Sequence, residues 1–236
     1  MKKYAFLATV LLICFIGSVA ADEIDVVIKQ LKSSNTTRRL AAVKELGKRK
    51  DPRAVNPLVS VLKSDRKWEV RLAAEDSLVS IGSPSAESLI RLVKEDKDCF
   101  VRRRSVRALK EIKDPCASEA LIKASSEDAD CCVRKFAARA LGEINDPKAT
   151  EFLDDTMKKK NLEIISAAYR YYVRKGEQGT EDVLVEAMQD SSYDKRMVLD
   201  LTNCGNEKLK KAADEIAKKR GYTTTPDWPG PKWGKI

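Results

Sequence analysis

Apolar positions recur along this chain with the period of an α-helix, and one helical pattern returns at nearly constant spacing. In residues 133–147, VRKFAARALGEINDP, Arg134 precedes Pro147 by 13 positions, and the same interval separates Arg39 from Pro52, Arg71 from Pro84 and Arg102 from Pro115. A small residue follows each arginine at the third place (Ala42, Ala74, Ser105, Ala137) and a leucine at the seventh (Leu46, Leu78, Leu109, Leu141). At about 100° per residue, the positions at minus one, plus three, plus seven and plus ten from the arginine fall on one side of a helix. That side is apolar or small in most copies, and it predicts the buried face. The Asp-Pro or Ser-Pro that closes each copy ends the helix, because the residue before proline is pushed out of the α region. The proline ring suits the first turn of the next helix. Successive prolines lie 31 or 32 residues apart, an interval that fits two helices and their turns. Self-similarity at that period signals stacked helical hairpins, each leaning on its neighbours.

The copies EVRLAAEDSLVSIGSP, FVRRRSVRALKEIKDP and CVRKFAARALGEINDP resemble HEAT-like repeats of the short bacterial type, also seen in phycobilin-lyase subunits, and the resemblance runs over roughly residues 24–221. It implies an all-α fold, an α-solenoid of about six HEAT-like helical hairpins with a C-terminal capping helix. It also implies that the second helix of each hairpin lines a concave face. On activity the resemblance is silent, since one repeat fold hosts many roles.

Three segments are expected: a signal peptide at 1–21, the repeat domain at 22–221 and an extended tail at 222–236. Lys2 and Lys3, an apolar run from Tyr4 to Ile16 and small residues up to Ala21 form a tripartite secretory signal. Cleavage after Ala20 or Ala21 would leave no stable membrane span and an exported protein, periplasmic or extracellular. Thr36 is expected to cap the second helix of repeat one, and Trp68 to pack on the turn of repeat two. Asp96, Asp98, Asp128 and Asp130 precede the second helices of repeats three and four, where they can cap a helix and reach an aligned arginine of a neighbouring repeat. After Pro147 the repeats degrade, with Gly176 and Gly179 in place of the proline stop and EKLKKAADEIAKKRG as the capping helix. Terminal repeats are atypical because they close the core. Tyr169, Tyr171 and Tyr172 are read mainly as core residues. The tail, YTTTPDWPGPKWGKI, is expected to be extended and to fold back over the last repeats, since two exposed tryptophans disfavour solubility.

The chain contains no histidine, which removes the commonest general base, the Ser-His-Asp and Cys-His arrangements and any His-ligated metal. No phosphate-cradling loop, paired Cys-x-x-Cys or nucleophile elbow is present. Acidic pairs such as Asp154 with Asp155 read as solvated helix faces. A non-catalytic protein without cofactor or metal is therefore expected. Six cysteines occur, Cys14 within the apolar run. Cys99 and Cys131 occupy equivalent turns, but packed helices lie ~8–10 Å apart, wider than a disulfide wants, so at most one bridge is expected, from Cys99 to Cys131 or Cys132.

The formal charge of +9 falls to +7 once Lys2 and Lys3 are removed, and the balance favours acidic or anionic partners. On the second helices, the side opposite the apolar stripe carries Arg103, Arg107 and Lys110 in repeat three and Lys135, Arg139 and Gly142 in repeat four. Repeat one contributes Lys44, while repeat two interrupts the stripe with Asp76. Crowded like charges on adjacent helices repel one another unless an anion neutralises them. The candidate partner is accordingly an acidic protein surface or an anionic polymer, and export argues against nucleic acid. The alternative that the resemblance suggests is an accessory subunit of an enzyme complex, as in phycobilin-lyase HEAT subunits. A weaker analogy is to HEAT-like alkylpurine DNA glycosylases. Export weighs against both, because those proteins act on intracellular substrates.

Overall fold

The structure is a computed structural model that describes residues 23–190, 195–224 and 230–235. The signal-peptide reading and Cys14 lie outside the described residues. Those residues contain thirteen α-helices and no strand. They are α1 (residues 23–30), α2 (Thr36–Arg49), α3 (Val55–Ser64), α4 (Trp68–Ile81), α5 (Ala86–Glu95), α6 (Cys99–Ile112) and α7 (Ser118–Glu127). There follow α8 (Cys131–Leu141), α9 (Pro147–Lys158), α10 (Leu162–Lys175), α11 (Glu181–Asp190), α12 (Lys195–Leu201) and α13 (Glu207–Arg220). None of the described helices is long and apolar enough to cross a membrane.

Two local devices cut the chain into hairpins. Within most hairpins an Asn or Asp caps the second helix, α4 being an exception with Lys67 at its cap and no side-chain bond. Asn35, Asp98, Asp130 and Asn161 turn their side-chain oxygens onto backbone N–H groups of the first turns of α2, α6, α8 and α10, which satisfies donors that have no partner inside the helix. Thr36, expected as the cap of α2, is instead its first helical residue. Asn35 Oδ1 takes the N–H groups of Thr37 and Arg38 at 2.8 and 3.2 Å, because its carbonyl has the reach and orientation for two donors. Between hairpins, Asp51 and Asp114 cap short 3₁₀ turns opened by Pro52 and Pro115, and these turns run straight into α3 and α7. Each Asp-Pro therefore stops one helix and starts the next. Lys50 and Lys113 precede these turns in the left-handed conformation, at φ of 53° and 58°.

The contacts divide the chain into Met1–Leu89 and Ile90–Ile236, a division that falls inside α5. In the first unit, α2 and α3 pack on α4, with Val43, Leu46, Leu58, Leu62, Val70, Ala74 and Leu78 fully buried. These include the minus one, plus three and plus seven positions of the sequence pattern. Gly47 lets α2 approach α4 closely, since a Cβ there would lie 2.6 Å from Ser77 Oγ and 2.9 Å from Ser77 Cα. Trp68 does not pack on its turn. As the first residue of α4 it is 57% exposed, because the minus-three position faces away from the stripe that Val70 and Ala74 bury.

In the second unit, α6 packs on α8 and α8 on α10, while α7 lies against α8 and α9. Val101, Leu109, Leu121, Val133, Ala137, Leu141, Leu153 and Ile165 form the core. Then α10 meets α11, and α13 packs on α11 and α12 with Leu209, Ala213 and Ala217 inward. Tyr169 and Tyr172 are buried, as expected, and Tyr171 is half-buried. The described end of the tail folds back. Trp233 N–H donates to Cys204 O at 2.7 Å, Gly234 N–H to Val173 O at 3.0 Å and Lys232 Nζ to Asn203 O at 2.6 Å. None of the cysteines at 99, 116, 131, 132 and 204 is joined in a disulfide.

Candidate partner-binding face

Three of the four aligned arginines, Arg39, Arg102 and Arg134, are structural. Arg39 Nε and Nη2 grip Asp65 at 2.7 and 2.9 Å, while its Nη1 donates to the carbonyls of Ser33 and Ser34. Arg102 repeats this on Asp128 at 2.8 and 2.7 Å and on the carbonyls of Asp96 and Lys97. Arg134 keeps the carbonyl bond, to Asp128, but reaches Glu163 instead of an aspartate. Each guanidinium thus ties the loop of its own hairpin to the next hairpin, through paired charge-assisted bonds. The Arg39 hydrogen bonds hold the Asp65 carboxyl below its ordinary range against the opposing effect of burial. At Asp128, burial pushes the pKa up, and the bonds from Arg102 and the Asp130 N–H outweigh it, so the net shift is again downward.

The helix caps give a register for the remaining cations. Counting from Asp98 and Asp130, Arg103 and Lys135 stand at the fifth position and Arg107 and Arg139 at the ninth. Because α6 packs on α8, the structure brings Arg103, Arg107, Lys110, Lys135 and Arg139 onto adjacent helices in common register. Arg107 is exposed and the other four are half-buried. Lys44 is exposed at the same ninth position of α2, in the first unit.

The expected mutual repulsion is relieved within the protein. Arg103 lies 3.8 Å from Asp130 and Lys110 pairs with Glu111 at 2.8 Å. Aromatic rings also lie against the cations: Arg103 stands 4.3 Å from the Phe100 ring centre and Arg139 5.9 Å from that of Phe136. Such contacts hold guanidinium groups by the ring quadrupole. Phe100 is 61% exposed, so the face is a mixture of cations and flat apolar surface. At the twelfth position, Lys110 gives way to Gly142 because Tyr171 crowds α8 there. A Cβ on Gly142 would lie 2.9 Å from Tyr171 Cβ.

One member of the row escaped the sequence reading. Arg170 stands nine residues after the cap Asn161 of α10, in the register of Arg107 and Arg139. Reading from the aligned arginine lost it, because Ile165 occupies that place in α10. Reading from the cap residues finds it. Arg170 Nε and Nη2 donate to Asp200 at 3.0 and 2.6 Å, with its side chain 30% exposed and Asp200 fully buried. Tyr169 O–H also hydrogen-bonds Asp200, and burial together with that carboxylate pushes the phenol well above its ordinary pKa. Among the described residues, no group of three or more His, Cys, Asp or Glu is placed to hold a metal ion.

Repeated hairpins tied by pairs of an aligned arginine and an acid, with a separate row of cations beside them, define an α-helical repeat scaffold. A family model described as HEAT repeats matches residues 24–110, 86–172 and 118–199, which together span most of the chain. The chain belongs to the HEAT repeats family. No curated protein matches it. Solved structures similar to it include an engineered protein, 21% identical, covering 86% of this chain and 98% of that one at a TM-score of 0.43. A designed armadillo repeat protein in complex with the peptide (KR)4 is 20% identical, covering 83% of this chain and 98% of that one, also at 0.43. The complex of CpcE and CpcF of phycocyanin lyase from Nostoc sp. is 18% identical, covering 71% of this chain and 99% of that one at 0.44.

Proposed function

We propose that this HEAT-repeat protein is an exported, non-catalytic scaffold that holds an acidic partner on the face carrying Arg103, Arg107, Lys135 and Arg139. The observation that carries the reading is the common register of these cations on two packed helices, interleaved with Phe100 and Phe136. Arginine beside aromatic surface is the composition of protein-binding hot spots. Complementary charge speeds encounter and makes affinity fall as salt rises. The N-terminal pattern supports export, and N-terminal sequencing of the mature protein tests it: a chain starting at Ala21 or Asp22 is expected. The test of the binding face is an Arg107→Glu/Arg139→Glu variant compared with wild type for capture of partners from the exported fraction. Loss of salt-sensitive capture with unchanged helical circular dichroism is the expected result. Unchanged capture would move the binding site elsewhere.

A further inference from the structure

We infer that Arg107, Arg139 and Arg170 form a docking row for an extended, polyproline-II-type segment of a partner protein that carries a carboxylate at every third residue. This rests on the acidic-partner reading above and gives that partner a shape. The three arginines each stand nine residues after the cap of their helix, and α6, α8 and α10 pack in sequence. Packed helix axes lie ~8–10 Å apart, so equivalent side chains recur at about that step.

A polyproline-II segment has three residues per turn and rises ~3.1 Å per residue, which returns to the same side about every 9 Å. A β-strand returns to one face at multiples of ~6.6 Å and falls out of step. The apolar surface beside the row fits the same ligand. The exposed Phe100 ring and the half-buried Phe136 ring lie by Arg103 and Arg139, and prolyl rings dock on aromatic-lined surfaces. A segment already extended also loses little conformational freedom on binding. Arg170 belongs to the row although it is paired with Asp200. The carboxylate is fully buried and the guanidinium is not, and a guanidinium carries five donors, more than the Nε and Nη2 contacts use.

Two peptides of identical composition test the row on the mature protein by isothermal titration: EPPEPPEPP, with a carboxylate at every third residue, and its isomer EPEPEPPPP, with one at every second. The register-matched peptide is expected to bind about fivefold to tenfold more tightly, the effect of placing two further charge pairs. Arg139→Gln or, separately, Arg107→Gln should remove most of that preference. Lys123→Gln, on the exposed side of α7, should leave it intact, and circular dichroism checks that each variant is folded. Equal affinity for the two peptides, lost together in Arg107→Glu/Arg139→Glu, overturns the row while the acidic-partner reading stands. Binding of inorganic polyphosphate without either peptide overturns the row in favour of a polymer. Binding of none of the three overturns both.

Discussion

At the scale of single residues, the Arg-to-Asp ladder makes stability depend on acid in a definite direction. Asp65 and Asp128 have folded pKa values below their unfolded ones, so their contribution is complete above the unfolded value of about 4 and is lost as pH falls through the lower folded values. Asp128→Asn is expected to lose about 2 kcal/mol near pH 7, because it leaves Arg102 without its charge partner at a site where the carboxylate is 7% exposed. The deficit should shrink as pH falls below about 4, because the unfolded chain then takes up a proton that the paired carboxylate still resists; urea denaturation near pH 7 and below about pH 4 checks both statements. A second substitution should act the other way. Lys50 holds φ at 53°, a conformation disfavoured by ~1–2 kcal/mol for a residue with a Cβ. Lys50→Gly should therefore stabilise by about 0.5–1 kcal/mol after allowing for the added freedom of the unfolded chain, seen as a rise in the urea midpoint. The ladder was legible in part: the sequence pointed to Asp128 as the partner of an aligned arginine but not to Asp65 or Glu163, and Glu163 lies at a different offset from its arginine than Asp65 and Asp128 do from theirs. The cap of α2 was less so, since Asn35 and Thr36 are adjacent and both residue types cap helices; only the geometry of the Asn35 carbonyl separates them.

At the scale of elements, the second helices were the most legible, because a buried stripe and a leucine seven places after the arginine leave little choice of face. Their closest approach was not legible. Gly47 sits within a helical pattern where glycine alone is unfavourable, and only the packing of α2 on α4 explains it. Alanine would gain up to ~1 kcal/mol of helix propensity. It would also place a Cβ 2.9 Å from Ser77 Cα, and a backbone atom cannot swing aside as a side-chain tip can. Overpacking of that kind costs ~1–3 kcal/mol, and it would also disturb the 2.9 Å bond from Ser77 Oγ to Val43 O. Gly47→Ala is therefore expected to destabilise by about 1 kcal/mol net, and a midpoint equal to or above wild type in urea would refute the close packing. The candidate row was half legible for a related reason. Repeats three and four keep the arginine that sets the register, whereas α10 replaces it with Ile165, so Arg170 is found only from the shared geometry of its cap.

At the scale of the whole molecule, the described end of the tail closes the last helices of the second unit, and its glycines show how closely. Gly230 lies against Asp200, where a Cβ would come within 2.9 Å of the Asp200 carbonyl oxygen, and Gly176 would drive a Cβ to 2.4 Å from Gly234 backbone. The tail also gives Val173 O, in the last turn of α10, and Cys204 O, in the bend after α12, their N–H partners at 3.0 and 2.7 Å; carbonyls of a last helical turn otherwise turn to water. Truncation after Thr224 should therefore lower stability by about 1–3 kcal/mol, through lost bonds and solvent admitted to the buried Asp200 side of the Arg170 pair. Gly176→Ala isolates the seat itself. In the full chain it combines the strain of φ at 62° with a backbone clash, whereas in the truncated chain only the strain of ~1–2 kcal/mol remains. A double-mutant cycle over the two changes should accordingly show a coupling of about 1 kcal/mol or more, with the substitution milder once the tail is gone. Additive effects would mean that the tail does not rest on Gly176 in solution.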